Sequence, residues 1–121
     1  MQLENKLQPW KNRMTEALQI LGLARRAGAV APGTAATRRS ISQGEARVVL
    51  MAEDASSAQL DKIRRTMRKR IIPQVLLGNR ATLGAAIGKA PITAVAVTDA
   101  SLAARLLESI DGEIMVDEGR D

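Results

Sequence analysis

Four short apolar runs, each set between segments of helical period, constrain this chain more than any other feature. They are Ala29-Val30-Ala31, Arg47-Val48-Val49-Leu50-Met51-Ala52, Gln74-Val75-Leu76-Leu77 and Thr93-Ala94-Val95-Ala96-Val97. Continuous apolar character with β-branched residues is what a strand covered on both faces requires. Around these runs the apolar residues recur at i, i+3, i+4 and i+7. From Arg13 to Arg26 the stripe is Met14, Ala17, Leu18, Leu21 and Ala24, and the segment closes on Arg25-Arg26-Ala27-Gly28, with cations in the last turn and a glycine stop. A second helix is predicted over residues 34–43, closed by Gly44, and a third over 57–70, with Leu60, Ile63 and Met67 on one stripe. A fourth opens at Gly78-Asn79-Arg80 and ends at Gly88; a fifth is capped by Asp99 and carries Leu102, Leu106, Leu107 and Ile110. Strands alternating with helices predict an α/β fold, a three-layer α/β/α sandwich with a central mixed four-stranded sheet, in which 47–52 and 74–77 are expected to be buried strands.

A chain of 121 residues has the length of a single domain. Residues 13–110 carry the periodic pattern and are expected to form that domain. Residues 1–12, polar and containing Pro9 and Trp10, read as a lead-in or linker. Residues 111–121 read as an acidic tail in which Ile114-Met115-Val116 is the one strand candidate. The formal net charge of +5 divides along the same boundary: 17 basic and 8 acidic side chains before Asp111, then five carboxylates against Arg120. The excess is greatest over residues 25–80, with 12 basic and 4 acidic residues, and Arg outnumbers Lys 13 to 5 in the chain. A planar guanidinium fork suits two phosphate oxygens, and a basic face of this size points to an anionic partner.

The missing residue types exclude much chemistry. There is no Cys and no His, which removes disulfides, the usual zinc, haem and iron–sulfur ligand sets, the histidine general base and the thiolate nucleophile. No phosphate-loop, dinucleotide-binding or nucleophile-elbow motif occurs. Glu53-Asp54 stands at the carboxyl end of a strand, where α/β domains place active sites, but two carboxylates without a nucleotide motif do not make one. Ser56-Ser57 reads as an N-cap. No catalytic residue, metal site or cofactor is expected. The apolar runs fall far short of the ~20 residues of a membrane span, and residues 1–6 lack the apolar core of a signal peptide, so the expected location is the cytoplasm. With one Trp and no Phe or Tyr, nucleic-acid recognition by stacked aromatics is also excluded.

One constellation remains. Gly33 lies between a predicted strand and a predicted helix, where a glycine lets a ligand approach the backbone. The helix start offers unpaired N–H groups and partial positive charge, and Arg38 and Arg39 follow one turn on. Pro32, Gly33 and Thr34 with the two arginines thus form a phosphate cradle; the same residues read equally well as a helix start with two solvated arginines.

The order strand–Gly33–helix, Gly44 eleven residues later, and then the Val48-Val49-Leu50-Met51-Ala52-Glu53-Asp54 exit resemble the ribosomal-protein superfamily that binds RNA kink-turns, the seven-Ae-like group. Leu83-Gly84-Ala85-Ala86-Ile87-Gly88 before the last strand matches its later glycine segment. Leu21-Gly22-Leu23-Ala24-Arg25-Arg26-Ala27-Gly28 is most similar to its bacterial YlxQ-like branch. The resemblance covers residues 14–107. It implies a non-enzymatic RNA-binding protein of structured, in particular ribosomal, RNA, with ribosome-associated proteins as further partners. The implied binding edge comprises Gly33, Thr34, Thr37, Arg38 and Arg39, with Glu53 nearby and Gly88, Lys89, Ala90 and Pro91 opposite. Arg64, Arg65, Arg68 and Lys69 form a secondary basic face. Kink-turn binders carry an Asn-Glu pair two and three positions after the glycine; here Ala35 and Ala36 stand there, as in the YlxQ-like branch, which implies weak base specificity. Two alternatives stay open: an accessory RNA-recognition domain of an RNA-modifying enzyme, and a protein-interaction module for an acidic partner. The lead-in also suits descent from a longer, fused protein.

Overall fold

Each strand run and each helical stripe of the sequence becomes an element in the computed structural model, which describes residues 9–110, with side chains from residue 13. In chain order these are α1 Pro9–Arg26, β1 Val30–Pro32, α2 Thr34–Ser42, β2 Val48–Met51, α3 Ser57–Thr66, β3 Gln74–Leu76, α4 Arg80–Ala86, β4 Ala94–Val97 and α5 Ala100–Ser109. The acidic stretch from Asp111, with its strand candidate Ile114-Met115-Val116, and residues 1–8 lie outside the described residues. Helix α1 starts at Pro9, four residues before the expected start at Arg13, with proline in the first turn, where a missing N–H costs nothing. The glycine stops end α1, α2 and α4 in one way. At Gly44, for example, its N–H donates to the Ile41 carbonyl (3.0 Å) and the Glu45 N–H to the Ser40 carbonyl (2.9 Å), the paired bonds that close a helix on a left-handed residue.

The sheet has the order β1-β4-β2-β3. β4 runs antiparallel to both β1 and β2, and β2 runs parallel to β3. The sheet is therefore mixed, and every residue of β2 and β4 is buried. Alternation along these strands separates two cores. Val48, Leu50, Val95 and Val97 face α1, α4 and α5, meeting Leu21, Leu83, Ile87 and Leu106. Val49, Met51, Ala94 and Ala96 face α2 and α3, meeting Ile41, Ile63 and Met67. Three helices on one face and two on the other complete the α/β/α sandwich. Among the described residues no helix is long and apolar enough to cross a membrane.

Two expectations need correction. β3 is not a buried strand: it pairs on one side only, with β2, and Leu76 is 45% exposed. Helix α3 ends at Thr66, not at residue 70. Met67 caps it, its N–H shared between the Ile63 and Arg64 carbonyls, a tightened last turn. Arg68, Lys69 and Arg70 thus project from turns that lead into the extended approach to Pro73.

Candidate nucleic-acid interface

The antiparallel register of β4 decides which loops meet. Pro32 pairs with Val95 and Met51 with Ala94, so the carboxyl ends of β1 and β2 share one end of the sheet with the start of β4. Gly33, Glu53 and the loop before β4 therefore converge there. Peptide hydrogen bonds lock them: Gly33 N–H to Ala94 O, Ala52 N–H to Thr93 O and Glu53 N–H to Gly78 O, each 2.8 Å.

At this end α2 begins without a side-chain cap. Helices α3, α4 and α5 are capped by Ser56, Asn79 and Asp99, each accepting a backbone N–H of the first turn. The N-cap of α2 is Gly33, with φ 93° and ψ 163°, a conformation open to glycine alone. A Cβ there would meet nothing within 4 Å, so backbone conformation and not crowding demands the glycine. The first-turn N–H groups of α2 consequently donate to no cap side chain, which leaves the partial positive charge of the helix end for an anion.

The sequence-predicted residues divide into a surface and its support. Thr34 is half-buried, Ala35 exposed and Ala36 half-buried. Thr37 is fully buried and donates its Oγ1 hydrogen to the Ala31 carbonyl (3.2 Å), so it fastens α2 to β1 beneath the surface. Thr37→Val should cost about 1 kcal/mol, the value of one such bond, measurable by denaturant unfolding. Arg38 and Arg39 are both exposed. The Arg38 Nε donates to Thr66 Oγ1 (2.8 Å), whose own hydroxyl donates to the Lys62 carbonyl (3.0 Å). That chain joins Arg38 to α3, on and after which Arg64, Arg65, Arg68 and Lys69 are all exposed.

Opposite Gly33, residues Lys89, Ala90 and Pro91 are exposed. Their loop is held by the Lys89 N–H on Gly84 O (2.8 Å) and the Ile92 N–H on Arg80 O (3.1 Å). Glu53 is exposed, whereas Asp54 is engaged: it accepts the Arg80 N–H (2.8 Å) and pairs with Arg80 Nε at 3.6 Å. Among the described residues this is the only carboxylate–cation contact within 4 Å. Among the described residues no carboxylate therefore lies within 4 Å of the arginines of this surface, although Asp61 stands beside Arg64, Arg65 and Arg68.

The family model for the ribosomal protein L7Ae/L30e/S12e/Gadd45 family matches residues 15–107. The RNA-binding protein YlxQ of Bacillus subtilis (strain 168) is 36% identical over 96 residues, which is 79% of this chain and 96% of that protein. A solved structure of a Bacillus halodurans protein of unknown function superposes with a TM-score of 0.75 at 31% identity, over 79% of this chain and 97% of its own. The Giardia lamblia 15.5kD RNA binding protein shares the fold, with a TM-score of 0.69 at 16% identity, over 84% of this chain and 89% of its own.

Proposed function

The chain belongs to the ribosomal protein L7Ae/L30e/S12e/Gadd45 family, and from that membership we propose that it is a non-enzymatic RNA-binding protein. Residues 13–110 constitute the binding domain, and the partner is structured RNA, with ribosomal RNA the first candidate. The observation that carries this reading is the uncapped start of α2 at Gly33, flanked by Arg38 and Arg39 and facing the Lys89–Pro91 loop. First-turn N–H groups take one phosphate, the arginines take others, and the loop bounds the far side of the groove. Thr37 supports the cradle from below, so Thr37→Val should leave the RNA affinity of the folded protein unchanged.

Ala35 and Ala36 make this recognition mainly one of phosphates and shape, because a methyl group cannot hydrogen-bond a base edge. Anisotropy titrations of a kink-turn RNA and its straightened duplex, each at two salt concentrations, test the proposal. Wild type should bind both with comparable affinity. Arg38→Ala/Arg39→Ala should weaken binding about tenfold or more, roughly the loss of 1.4 kcal/mol. It should also lower the slope of log K against log salt by about 1.8, at ~0.9 per phosphate contact. Failure of the wild type to bind, or an unchanged double variant, overturns the cradle; a strong kink-turn preference overturns the reading of the two alanines.

A further inference from the structure

The other end of α2 carries a second cluster of cations, beyond Arg39 in its last turn. Gly44 turns the chain away in the left-handed conformation (φ 77°), and one arginine reaches the last carbonyl of α2 while another reaches that of Gly44 itself. The Arg70 Nη2 donates to Ser42 O (2.8 Å) and the Arg47 Nη1 to Gly44 O (3.4 Å). Arg47, Lys69 and Arg70 line a cleft of about 360 Å³ with Gly44, Ala46, Ile71 and Ile72, and no carboxylate is in that lining. A guanidinium has five N–H donors; one bond from Arg70 to the helix end and one from Arg47 to the turn after it leave the other donors, on exposed side chains, free for an anion. The tether to a backbone carbonyl also fixes each fork in place, which lowers the ordering cost of a phosphate contact.

We infer that this cleft is a second phosphate-binding site for the RNA that occupies the cradle, with α2 as the spacer between them. The nine residues of α2, at 1.5 Å each, separate its ends by about 13 Å. One strand of a B-form duplex advances ~3.4 Å along the axis per phosphate, which puts the two sites about four nucleotides apart, and somewhat more on the shorter rise of an A-form RNA stem. The seam between α2 and α3 connects them: Arg38 is bound to Thr66 near its middle and Arg70 to Ser42 at its end. Ile71, wholly exposed, supplies an apolar face beside the cleft for a sugar or base. Nothing in the first-turn chemistry of α2 requires this second site, and neither Arg47 nor Arg70 belongs to the cradle.

The inference rests on the RNA reading, and its test separates the two. Fluorescent RNA hairpins with stems of about three base pairs, too short to span both sites, and of about twelve are titrated at two salt concentrations against four proteins: wild type, Arg38→Ala/Arg39→Ala, Arg47→Gln/Arg70→Gln and Arg47→Lys/Arg70→Lys. On the longer hairpin Arg47→Gln/Arg70→Gln should lower the salt slope by about 1.8 and weaken binding about tenfold, at ~0.9 per lost phosphate contact. On the shorter hairpin it should match wild type. Arg47→Lys/Arg70→Lys, which keeps charge without the fork, should recover most of the slope. If the glutamine pair leaves both slopes unchanged and only lowers the thermal midpoint, the arginines are helix-end caps and the inference falls. The cradle reading survives that result provided Arg38→Ala/Arg39→Ala still loses binding. If the glutamine pair instead loses binding to a polyglutamate peptide and not to RNA, the cleft serves an acidic protein and the inference is likewise overturned. No binding of any hairpin by the wild type overturns both readings.

Discussion

Gly33→Val should destabilise the protein by about 1–3 kcal/mol, the cost of forcing a side-chain-bearing residue into a glycine-only region, and should also weaken RNA binding more than loss of the two cradle arginines. Its φ of 93° and ψ of 163° are set by two demands. The Gly33 N–H must reach the Ala94 carbonyl, and the Gly33 carbonyl must accept the Thr37 N–H (2.9 Å) to begin α2. A valine escapes the strain only by rotating out of this conformation, which releases one of those bonds and re-aims the first turn. The space around the missing Cβ is open, so Gly33→Ala, harmless if crowding were the constraint, should share most of the loss. D-alanine, whose mirror-image preferences admit a positive φ, should restore it. Urea unfolding and RNA anisotropy on the same samples give both readouts. A Gly33→Ala protein with wild-type stability and affinity would show that α2 does not depend on this conformation.

The demand at Gly33 was legible in the sequence because local signals marked it: a strand, a lone glycine, a helix. The same holds for the glycine stops and for Asp99 as a cap, since each depends on residues within one turn. Buried strands β2 and β4 were equally plain, because only a strand covered on both faces tolerates an unbroken apolar run. Strand order was not readable: β4 lies between β1 and β2, and that pairing joins segments far apart in the chain. Gln74-Val75-Leu76-Leu77 reads alike whether central or at an edge, so the exposure of Leu76 had no local signal.

At the site, Thr37 did have one. It stands four residues before Ile41, on the stripe that faces the core, whereas Arg38 and Arg39 fall off that stripe. Its inward position could have been inferred from the period alone. Arg47 and Arg70 had no such marker. They are separated by α3 in sequence and meet only because both reach the carbonyls that Gly44 exposes.

Gly84→Ala tests the other wall of the interface, and two effects of opposite sign compete in it. Alanine is the better helix former, by about 1 kcal/mol over glycine inside a helix, so propensity alone predicts a stabilised α4. Packing predicts the reverse. A Cβ on Gly84 would run into the Ala90 carbonyl oxygen and stand 2.7 Å from its carbon and 2.8 Å from the Lys89 oxygen. All three are backbone atoms, with no flexible end to swing aside. Helix α4 cannot retreat readily either, because Leu83 and Ile87 on either side of Gly84 are completely buried. The loop must therefore lift, breaking the Lys89 N–H bond to Gly84 O. Overpacking of this kind costs ~1–3 kcal/mol; with backbone on the receiving side the upper part of that range applies, and it exceeds the propensity gain. The expected protein is destabilised by about 1–2 kcal/mol net and binds RNA more weakly, because Lys89, Ala90 and Pro91 move together. Lys89→Ala, which removes one charge and leaves the loop seated, should lower the salt slope by about one without changing stability. A Gly84→Ala protein more stable than wild type would mean that propensity outweighs the contact and that the loop before β4 does not rest on α4.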